Sequence, residues 1–573
     1  MASRIAATTF LLLASLTATG QHAVANTQQT AQPPARDRAP ARTGTAVIRG
    51  RVFASDTGRP LRRARISLSS EYGEGRTTNT NPDGRYEIRD LPAGRYSMTV
   101  TRGGYLALQY GQRRPLEQGK PLQLLDKQVM DNIDFSLPRM SLITGHVTDE
   151  VGEPISGVHV WVLRSAYFEG RRRLAFTGGT TTTDDTGQYR ILNLVPGTYF
   201  VMGTMSETWS VSDGGVEQVL GFAATYFTGT TNVGDARRVT VSIGQEAANI
   251  DFSLIPGRAA RISGTAIDSH GRPLAGSSVT LSQEFRGPGR TDTFSSGGAP
   301  VGADGTFTIK NVSSGDYKLY VRSTTDGKIP TTQITEAAAA PVSVNGIDID
   351  NITLVTSPGW SLSGQVVDER GATPRLPRNA VGITTRPVSN DFDPFLRGGA
   401  NNGGVKDDWT FAITGLFGPA RLHASVTGGL TVKAIVHNGR DVSDAIFDLK
   451  SREELSGLQV VITNKSTTIS GQLADDKGAP LIDGTVIVFA DEAEKWYEGS
   501  RSVKSARPDQ QGRYQIKGLP PGEYLAVALE YVQEGTWNDP EYLESIRRYG
   551  QKFTLGEGAS QSLALKLTAL EVR

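Results

Sequence analysis

The chain has 573 residues and no cysteine. This absence excludes a disulfide framework, a zinc site with cysteine ligands, a cysteine nucleophile and a lipid-modified cysteine anchor. Each folded unit must therefore be stabilised by burial of apolar side chains alone, which domains of about 100 residues achieve.

The chain also lacks an excess of positive or negative charge, and it has few long apolar runs. The 60 Lys and Arg residues nearly balance the 59 Asp and Glu residues. A nucleic-acid-binding protein normally carries a strongly basic face, so nucleic acid is not the expected partner. Beyond the N-terminus, no stretch approaches the ~18 apolar residues that a membrane helix needs, and we expect no transmembrane segment in the mature chain.

The N-terminus has the features of an export signal. Arg4 precedes the apolar run Ile5–Leu16, and residues 23–25 (Ala-Val-Ala) form a small-x-small cleavage pattern. We interpret residues 1–25 as a signal peptide and expect the protein in the periplasm or outside the cell. Residues 26–44 are rich in Gln, Pro, Ala and Arg, which predicts a disordered linker.

A glycine-led strand followed by Asp, Gly and Pro recurs five times. In the second copy Gly145 opens the strand, Asp149 and Gly152 follow, and Pro154 ends the motif. The Asp side chain can accept hydrogen bonds from nearby backbone N–H groups, and the Gly tolerates positive φ. The motif therefore predicts a strand, a tight turn and a second strand. The other copies begin at Gly50, Gly264, Gly364 and Gly471.

A second motif contains two tyrosines. In the first repeat Asp83 and Gly84 precede Tyr86 and Ile88, and a Leu-Pro-x-Gly-x-Tyr run ends at Tyr96. Alternation with period two predicts a half-buried strand with the first Tyr and the Ile facing the core. The last Tyr is similar to the tyrosine corner of Greek-key sandwiches, with a buried ring and a hydroxyl bonded to nearby backbone. Its equivalents are Tyr199, Tyr317 and Tyr524.

A closing strand ends the repeats, as in the Asn-Ile-Asp-Phe-Ser-Leu runs at 132–137 and 249–254. The fourth repeat diverges: the corner tyrosine is missing, and it has its own segment at 432–442. The pattern predicts an all-β chain, a tandem array of five Greek-key, immunoglobulin-like β-sandwich domains. The expected domains are residues 45–139, 140–257, 258–357, 358–465 and 466–573.

These motifs resemble the carboxypeptidase regulatory-like domain, a transthyretin-like β-sandwich. The resemblance covers nearly the whole chain after residue 44. Because the regulatory module is not the catalytic one, it implies no peptidase activity. Such modules occur as accessories on enzymes, in surface adhesins and in stand-alone exported bacterial proteins. The resemblance thus implies a structural or interaction role at the cell envelope, with polysaccharide binding as the alternative.

Side chains arranged for catalysis or metal binding are scarce. No histidine forms a His-x-x-x-His or His-x-x-Glu pair. Asp348 and Asp350 are spaced i and i+2 but lack the glycine-bearing loop of a calcium site. We expect a monomeric protein that is not an enzyme and has no cofactor and no metal.

Aromatic residues outside the strand pattern are the candidates for a ligand or partner surface. Exposed Trp and Tyr offer flat apolar area on which sugar rings stack. Several recur at equivalent positions, which also fits packing at a sandwich end or at a joint between modules. The sequence leaves both interpretations open, with an unknown envelope protein or a polysaccharide as partner. The candidates are Tyr105, Tyr110, Trp209, Tyr226, Trp496, Tyr497 and Trp537.

Overall fold

The computed structural model describes residues 43–70, 75–114, 116–168, 171–213, 216–287, 290–323, 336–388, 404–475 and 477–568. The expected signal peptide, and the expected linker up to residue 42, lie outside these ranges. The regular secondary structure of the described residues is almost entirely β-strand, which confirms the all-β prediction. In these ranges no helix has the length and apolar character of a membrane span.

Sandwich 1 is the name used here for the two sheets within residues 46–137. In one sheet β1 lies centrally, antiparallel to β4 and parallel to β8 and β9. In the other, β2 pairs with β3 and β5, and β5 also pairs with β6 and β7. The strands are β1 (Ala46–Ala54), β2 (Arg65–Ser70), β3 (Gly75–Asn79), β4 (Arg85–Leu91), β5 (Gly94–Thr101), β6 (Leu108–Gln109), β7 (Leu122–Leu124), β8 (Val129–Met130) and β9 (Phe135–Leu137).

Sandwich 2, within residues 141–258, repeats this arrangement and adds a small three-stranded sheet. Its strands are β10 (Ser141–Thr148), β11 (His159–Phe168), β12 (Arg171–Thr182), β13 (Gln188–Leu194), β14 (Gly197–Thr204), β15 (Thr208–Asp213), β16 (Val216–Ala223), β17 (Thr225–Tyr226), β18 (Val239–Val241), β19 (Glu246–Ala247), β20 (Phe252–Ser253) and β21 (Ile255–Arg258). Strand β10 is central in the first sheet, β11 and β14 are central in the second, and the added sheet has the order β15-β16-β21.

Sandwich 3, within residues 260–358, has sheets of order β25-β22-β28 and β24-β23-β26-β27-β29. The closing strand β28 again runs parallel to the opening strand β22. The bounds are β22 (Ala260–Ile267), β23 (Ser278–Gly287), β24 (Arg290–Pro300), β25 (Thr306–Val312), β26 (Gly315–Arg322), β27 (Glu336–Val344), β28 (Ile349–Val355) and β29 (Ser357–Pro358).

Sandwich 4, within residues 360–463, differs in topology. The segment that the sequence set apart forms β34 and β35, and β34 joins the first sheet beside the closing strand β36. Among the described residues the second sheet contains β31 and β33. The bounds are β30 (Trp360–Asp368), β31 (Val381–Pro387), β32 (Thr410–Leu416), β33 (Ala420–Val426), β34 (Thr431–His437), β35 (Arg440–Asp441) and β36 (Glu454–Thr463).

Sandwich 5, within residues 468–568, has its two halves joined because β44 pairs with both β37 and β41. It also contains the helix α1 (Pro540–Arg547), which begins after the capping residue Asp539. The strands are β37 (Thr468–Ala474), β38 (Thr485–Ala490), β39 (Val503–Ala506), β40 (Arg513–Lys517), β41 (Gly522–Leu529), β42 (Gln551–Leu555), β43 (Ser560–Ser562) and β44 (Leu565–Thr568).

A hydrophobic core fills each sandwich, built from the inward-facing residues of its own strands. In β1, for example, Ile48 and Val52 are fully buried while Arg49 and Arg51 point outward. Period-two alternation thus produces the separation of apolar and polar faces. The division of the chain into five separately folding domains stays a prediction.

The predicted turn follows the opening strand in all five sandwiches, and in four of them an Asp carboxylate caps it. The Asp149 carboxylate accepts hydrogen bonds from the backbone N–H groups of Val151 at 3.0 Å and Glu153 at 2.8 Å. Gly152 has a φ of 92°, as the motif predicts. In sandwich 1 the carboxylate of Asp56 instead pairs with Arg139 at 2.6 Å. The equivalent turns are capped by Asp268, Asp368 and Asp475.

The tyrosine corners are also confirmed. The Tyr96 hydroxyl donates to the carbonyl oxygen of Pro92 at 2.8 Å, and its ring is buried. Each corner hydroxyl reaches the carbonyl four residues earlier and ties the turn to the strand that follows. The same bond is made by Tyr199, Tyr317 and Tyr524.

The first tyrosine of the second motif connects its strand to the closing segment of the same sandwich. The Tyr189 hydroxyl donates to the carbonyl oxygen of Ile250 at 2.6 Å, and the residue is 1% exposed. In Tyr189→Phe this buried carbonyl loses its donor, so we expect the free energy of unfolding to fall by about 1–2 kcal/mol. Urea denaturation measures the change. Tyr105→Phe, in a half-buried ring, should change it by about 0.5 kcal/mol or less; equal losses in both variants would contradict the assignment.

Candidate functional site

Three of the candidate aromatic residues of sandwiches 1 and 2 pack against the hydrophobic cores of their own sandwiches. Tyr105 and Tyr110 are half-buried against the core of sandwich 1, and the Arg139 guanidinium lies 5.4 Å from the Tyr105 ring centroid. Trp209 packs against Phe222, with ring centroids 4.8 Å apart and ring planes inclined by 49°. These rings therefore have packing partners within the protein.

Tyr226 packs against a separate small cluster of sandwich 2. Its half-buried ring contacts the group formed by Leu163, Phe200 and Met202. Burial raises the pKa of the Tyr226 hydroxyl. This ring too is part of the packing of β14 and β17 rather than a free surface feature.

Two candidates of sandwich 5 belong to a second apolar layer. The strands β38 and β41 are buried on both faces, because α1 and the segments around Trp496 and Trp537 cover the outer face. Trp496 is 5% exposed, and its indole N–H donates to the carbonyl oxygen of Ala490 at 2.6 Å. Trp537 is half-buried against the same layer. The structure thus brings these two tryptophans together as packing residues.

Tyr497 lies at the contact between sandwiches 4 and 5. Its hydroxyl donates to a carboxylate oxygen of Asp444 at 2.6 Å, and the guanidinium carbon of Arg421 lies 4.0 Å from its ring centroid. Burial is the main cause that raises the pKa of Tyr497. This residue therefore connects two sandwiches.

A contact between sandwich 1 and sandwich 5 has the strongest concentration of buried charge. At its centre Arg507 has a fully buried side chain, and its guanidinium lies 3.1 Å from a Glu117 carboxylate oxygen. The same guanidinium donates to the backbone carbonyl of Gln118 at 2.8 Å and lies 3.4 Å from Asp483. The Glu117 carboxylate also accepts from the backbone N–H of Arg113 at 3.0 Å. We call this contact the 1–5 joint.

Two further cations of sandwich 1 meet Asp483 of sandwich 5. Lys120 and Arg113 both form ion pairs with its carboxylate. Burial lowers the pKa of Lys120, while Asp483 opposes that change. Each buried charge in this group therefore has an opposite partner from the other sandwich, which is the condition for burying ions without a large penalty.

Polar contacts surround the charged centre of the 1–5 joint. The hydroxyl of Ser505 donates to the side-chain oxygen of Gln118 at 3.2 Å, and the backbone N–H of Glu534 donates to the Leu116 carbonyl at 2.6 Å. Sequence reasoning missed this site. The partners lie almost 400 positions apart in the chain, and no local motif marks such a pairing.

Lys504, in β39 of sandwich 5, makes the stability of the protein depend on pH. Burial lowers its pKa to about 8, and its ammonium donates to the carbonyl of Gly518 at 3.1 Å. Above that pKa the native state binds fewer protons than the unfolded state, whose lysine titrates near pH 10.4. Stability should therefore rise by about 1–2 kcal/mol between pH 8 and 9.5.

Urea denaturation of the wild type and Lys504→Met across this range measures the effect. The variant has no amine to titrate, so the difference between the two proteins isolates the contribution of Lys504. A constant difference across the pH range would contradict the assignment.

Within the described residues, no group of three or more His, Asp or Glu side chains is placed to hold a metal ion. The aromatic candidates do not converge on one face, apart from the two tryptophans of sandwich 5. The contacts between sandwiches can hold these units together. They consist of ion pairs, hydrogen bonds and ring packing, which are the interactions of protein–protein recognition.

Among the comparisons with known proteins, only the match to a family model, described in the next paragraph, is informative. No curated protein matches the sequence. Among solved structures, a streptococcal ancillary pilin is 13% identical, with 55% of this chain and 99% of that chain covered and a TM-score of 0.20. The Bacillus anthracis TIE protein is 11% identical, with 74% and 73% covered and a TM-score of 0.14. BcpA, the major pilin subunit of Bacillus cereus, is 11% identical, with 54% and 99% covered and a TM-score of 0.14. At these values the likeness supports no conclusion about this chain.

The model of the carboxypeptidase regulatory-like domain matches residues 47–130 and 142–254. These ranges contain the opening strand, both tyrosines of the second motif and most of the strands of sandwiches 1 and 2. The expectation drawn from the motifs is confirmed there. Two segments of this chain, residues 47–130 and 142–254, therefore belong to the carboxypeptidase regulatory-like domain family.

Proposed function

We propose that this protein is an exported, non-catalytic scaffold that holds interaction surfaces at fixed spacing at the cell envelope. The proposal rests on the hydrogen bonds that the polar side chains of the repeated motifs make. The tyrosine hydroxyls bond backbone carbonyls, and the motif aspartates cap turns. These groups shape and stabilise the sandwiches, and reactive chemistry is not their role.

The joints between sandwiches support the same proposal. Between sandwiches 4 and 5, Lys433 pairs with Glu557 at 2.5 Å, and the Tyr497 hydroxyl bonds Asp444. Contacts of this kind fix the relative placement of neighbouring modules, which a scaffold requires.

The cysteine-free sequence allows a direct test of fixed spacing. Val151→Cys in sandwich 2 and Ile446→Cys in sandwich 4 replace residues that are 78% and 49% exposed, so spin labels attach there without disturbing a core. Double electron–electron resonance should give one narrow distance distribution. A broad distribution would show flexibly linked modules and would overturn the scaffold proposal.

Binding and hydrolysis assays test the alternatives. We expect the purified protein to hydrolyse neither peptides nor glycans, and we expect Trp209→Ala to leave its behaviour on polysaccharide arrays unchanged. Polysaccharide binding that is lost in Trp209→Ala but kept in Trp209→Phe would favour a carbohydrate-binding function instead. Hydrolysis by the wild type that persists through purification would make the protein an enzyme.

A further inference from the structure

The two faces of the 1–5 joint complement each other in charge. The docking loop, residues 109–114 and 116–120 of sandwich 1, carries Arg113 and Lys120 opposite Asp483, and Glu117 opposite Arg507. Charges of both signs therefore alternate across the contact. Such a pattern specifies one partner and one register, since a shifted register would place like charges together.

The acceptor surface, formed by Asp483, Ser505, Arg507 and Glu530, is built on sandwich 5. Arg114 of the docking loop pairs with Glu530 at 2.6 Å, and its guanidinium lies 5.2 Å from the Tyr531 ring centroid. The loop and the surface rest on separate hydrophobic cores. Each face therefore keeps its form when the other is absent.

The contact consists of ion pairs and hydrogen bonds at its centre and its rim. When such faces separate, water solvates the charges, so opening is less costly than the number of ion pairs suggests. Contacts between domains within one chain resemble transient protein–protein interfaces when they are polar. The joint has the properties of a reversible recognition surface.

We propose that the docking loop also binds the acceptor surface of a second copy of this chain, so that copies join head to tail. This inference rests on the proposed interaction function and names the partner. The two faces differ from each other, so a joined pair keeps one free docking loop and one free acceptor surface for further copies. Pairing within one chain competes through its high effective concentration, so joining is favoured where copies are crowded or aligned.

Charge exchange between two variants tests the proposal. Glu117→Arg and Arg507→Glu each place like charges in the joint, so each variant alone is expected to lose both internal and intermolecular pairing. In an equimolar mixture, the docking loop of the first variant matches the acceptor surface of the second. The remaining two faces, the docking loop of the second variant and the acceptor surface of the first, are native and also match, so the two variants can alternate along a joined assembly. Analytical ultracentrifugation should show monomers for each variant alone, and dimers and larger complexes that contain the two variants in equal numbers for the mixture.

Circular dichroism and thermal melting establish that both variants are folded. Monomers in a mixture of folded variants, up to concentrations on the order of 1 mM, would overturn the proposal. If either variant does not fold, Gln118→Cys and Ser505→Cys on the otherwise native chain decide the question with a short bis-maleimide cross-linker. Cross-linked dimers in a mixture of these two single variants support joining between copies. Cross-linking confined to the double variant, within one chain, contradicts it. Neither readout depends on hydrolysis, glycan binding or the spacing of sandwiches 2 and 4, so failure here is distinct from failure of the scaffold proposal.

Discussion

Gly50→Ala should unfold sandwich 1. A Cβ atom at Gly50 would lie 1.9 Å from the carbonyl oxygen of Ile133 and 2.5 Å from its carbonyl carbon. Both atoms belong to the backbone that leads into β9, which pairs with β1. No side-chain rotation can relieve the clash, so the strands must separate, and we expect a loss of about 3 kcal/mol or more.

Gly103→Ala is the matched control. Gly103 lies in the same sandwich, its φ is not in the left-handed region, and a Cβ there has no atom within 4 Å. Calorimetry should show the transition of sandwich 1 lost or shifted strongly in Gly50→Ala and nearly unchanged in Gly103→Ala. A normal transition in Gly50→Ala would mean that β1 and the chain before β9 do not approach each other this closely.

Arg507→Met should open the 1–5 joint while leaving both sandwiches folded. The substitution leaves Glu117, whose side chain is 4% exposed, buried without its cationic partner. Removing one member of a buried ion pair costs about 3 kcal/mol or more, and opening the joint returns the carboxylate to water. In the Gln118→Cys/Ser505→Cys background, the rate of cross-linking within one chain should fall about 100-fold.

Arg513→Met provides the control for burial. Arg513 pairs with Asp509 at 3.1 Å, the same distance as the pair of Arg507 with Glu117, but its side chain is 58% exposed. Exposed ion pairs contribute about 0–1 kcal/mol, so cross-linking in this variant should change less than about fivefold. Equal effects of the two substitutions would show that burial does not set the strength of the joint.

Local chemistry explains why so much of the fold could be predicted. The turn at Asp149, the inward parity of Tyr86 and Ile88 and the corner bond of Tyr96 each depend on residues close together in sequence. The sandwich-like strand pattern follows from them. The order of the strands in a sheet could not be predicted in this way, because the parallel pairing of β1 with β9 joins residues more than 80 positions apart. Nothing in an alternating pattern distinguishes a parallel neighbour from an antiparallel one.

The candidate site shows the same difference between features that depend on local sequence and contacts between distant residues. The aromatic residues were found by sequence because they stand outside the strand pattern, but the pattern does not show whether a ring is covered. Trp496, for example, was a candidate for a ligand or partner surface and is buried beside α1. Arg507 and Glu117 are ordinary surface residue types whose significance comes only from a contact across the whole array.

The parallel pairing of β1 with β9 also determines how sandwich 1 responds to a pulling force. The chain enters at the start of β1 and leaves at the end of β9, and the two strands run in the same direction side by side. Tension between the ends therefore slides one strand along the other, and several hydrogen bonds resist it together instead of breaking one after another. Sandwich 2 has the same geometry in β10 and β20, and sandwich 3 in β22 and β28. Successive sandwiches would thus bear tension in shear, a mechanical property suited to a protein held between two attached surfaces.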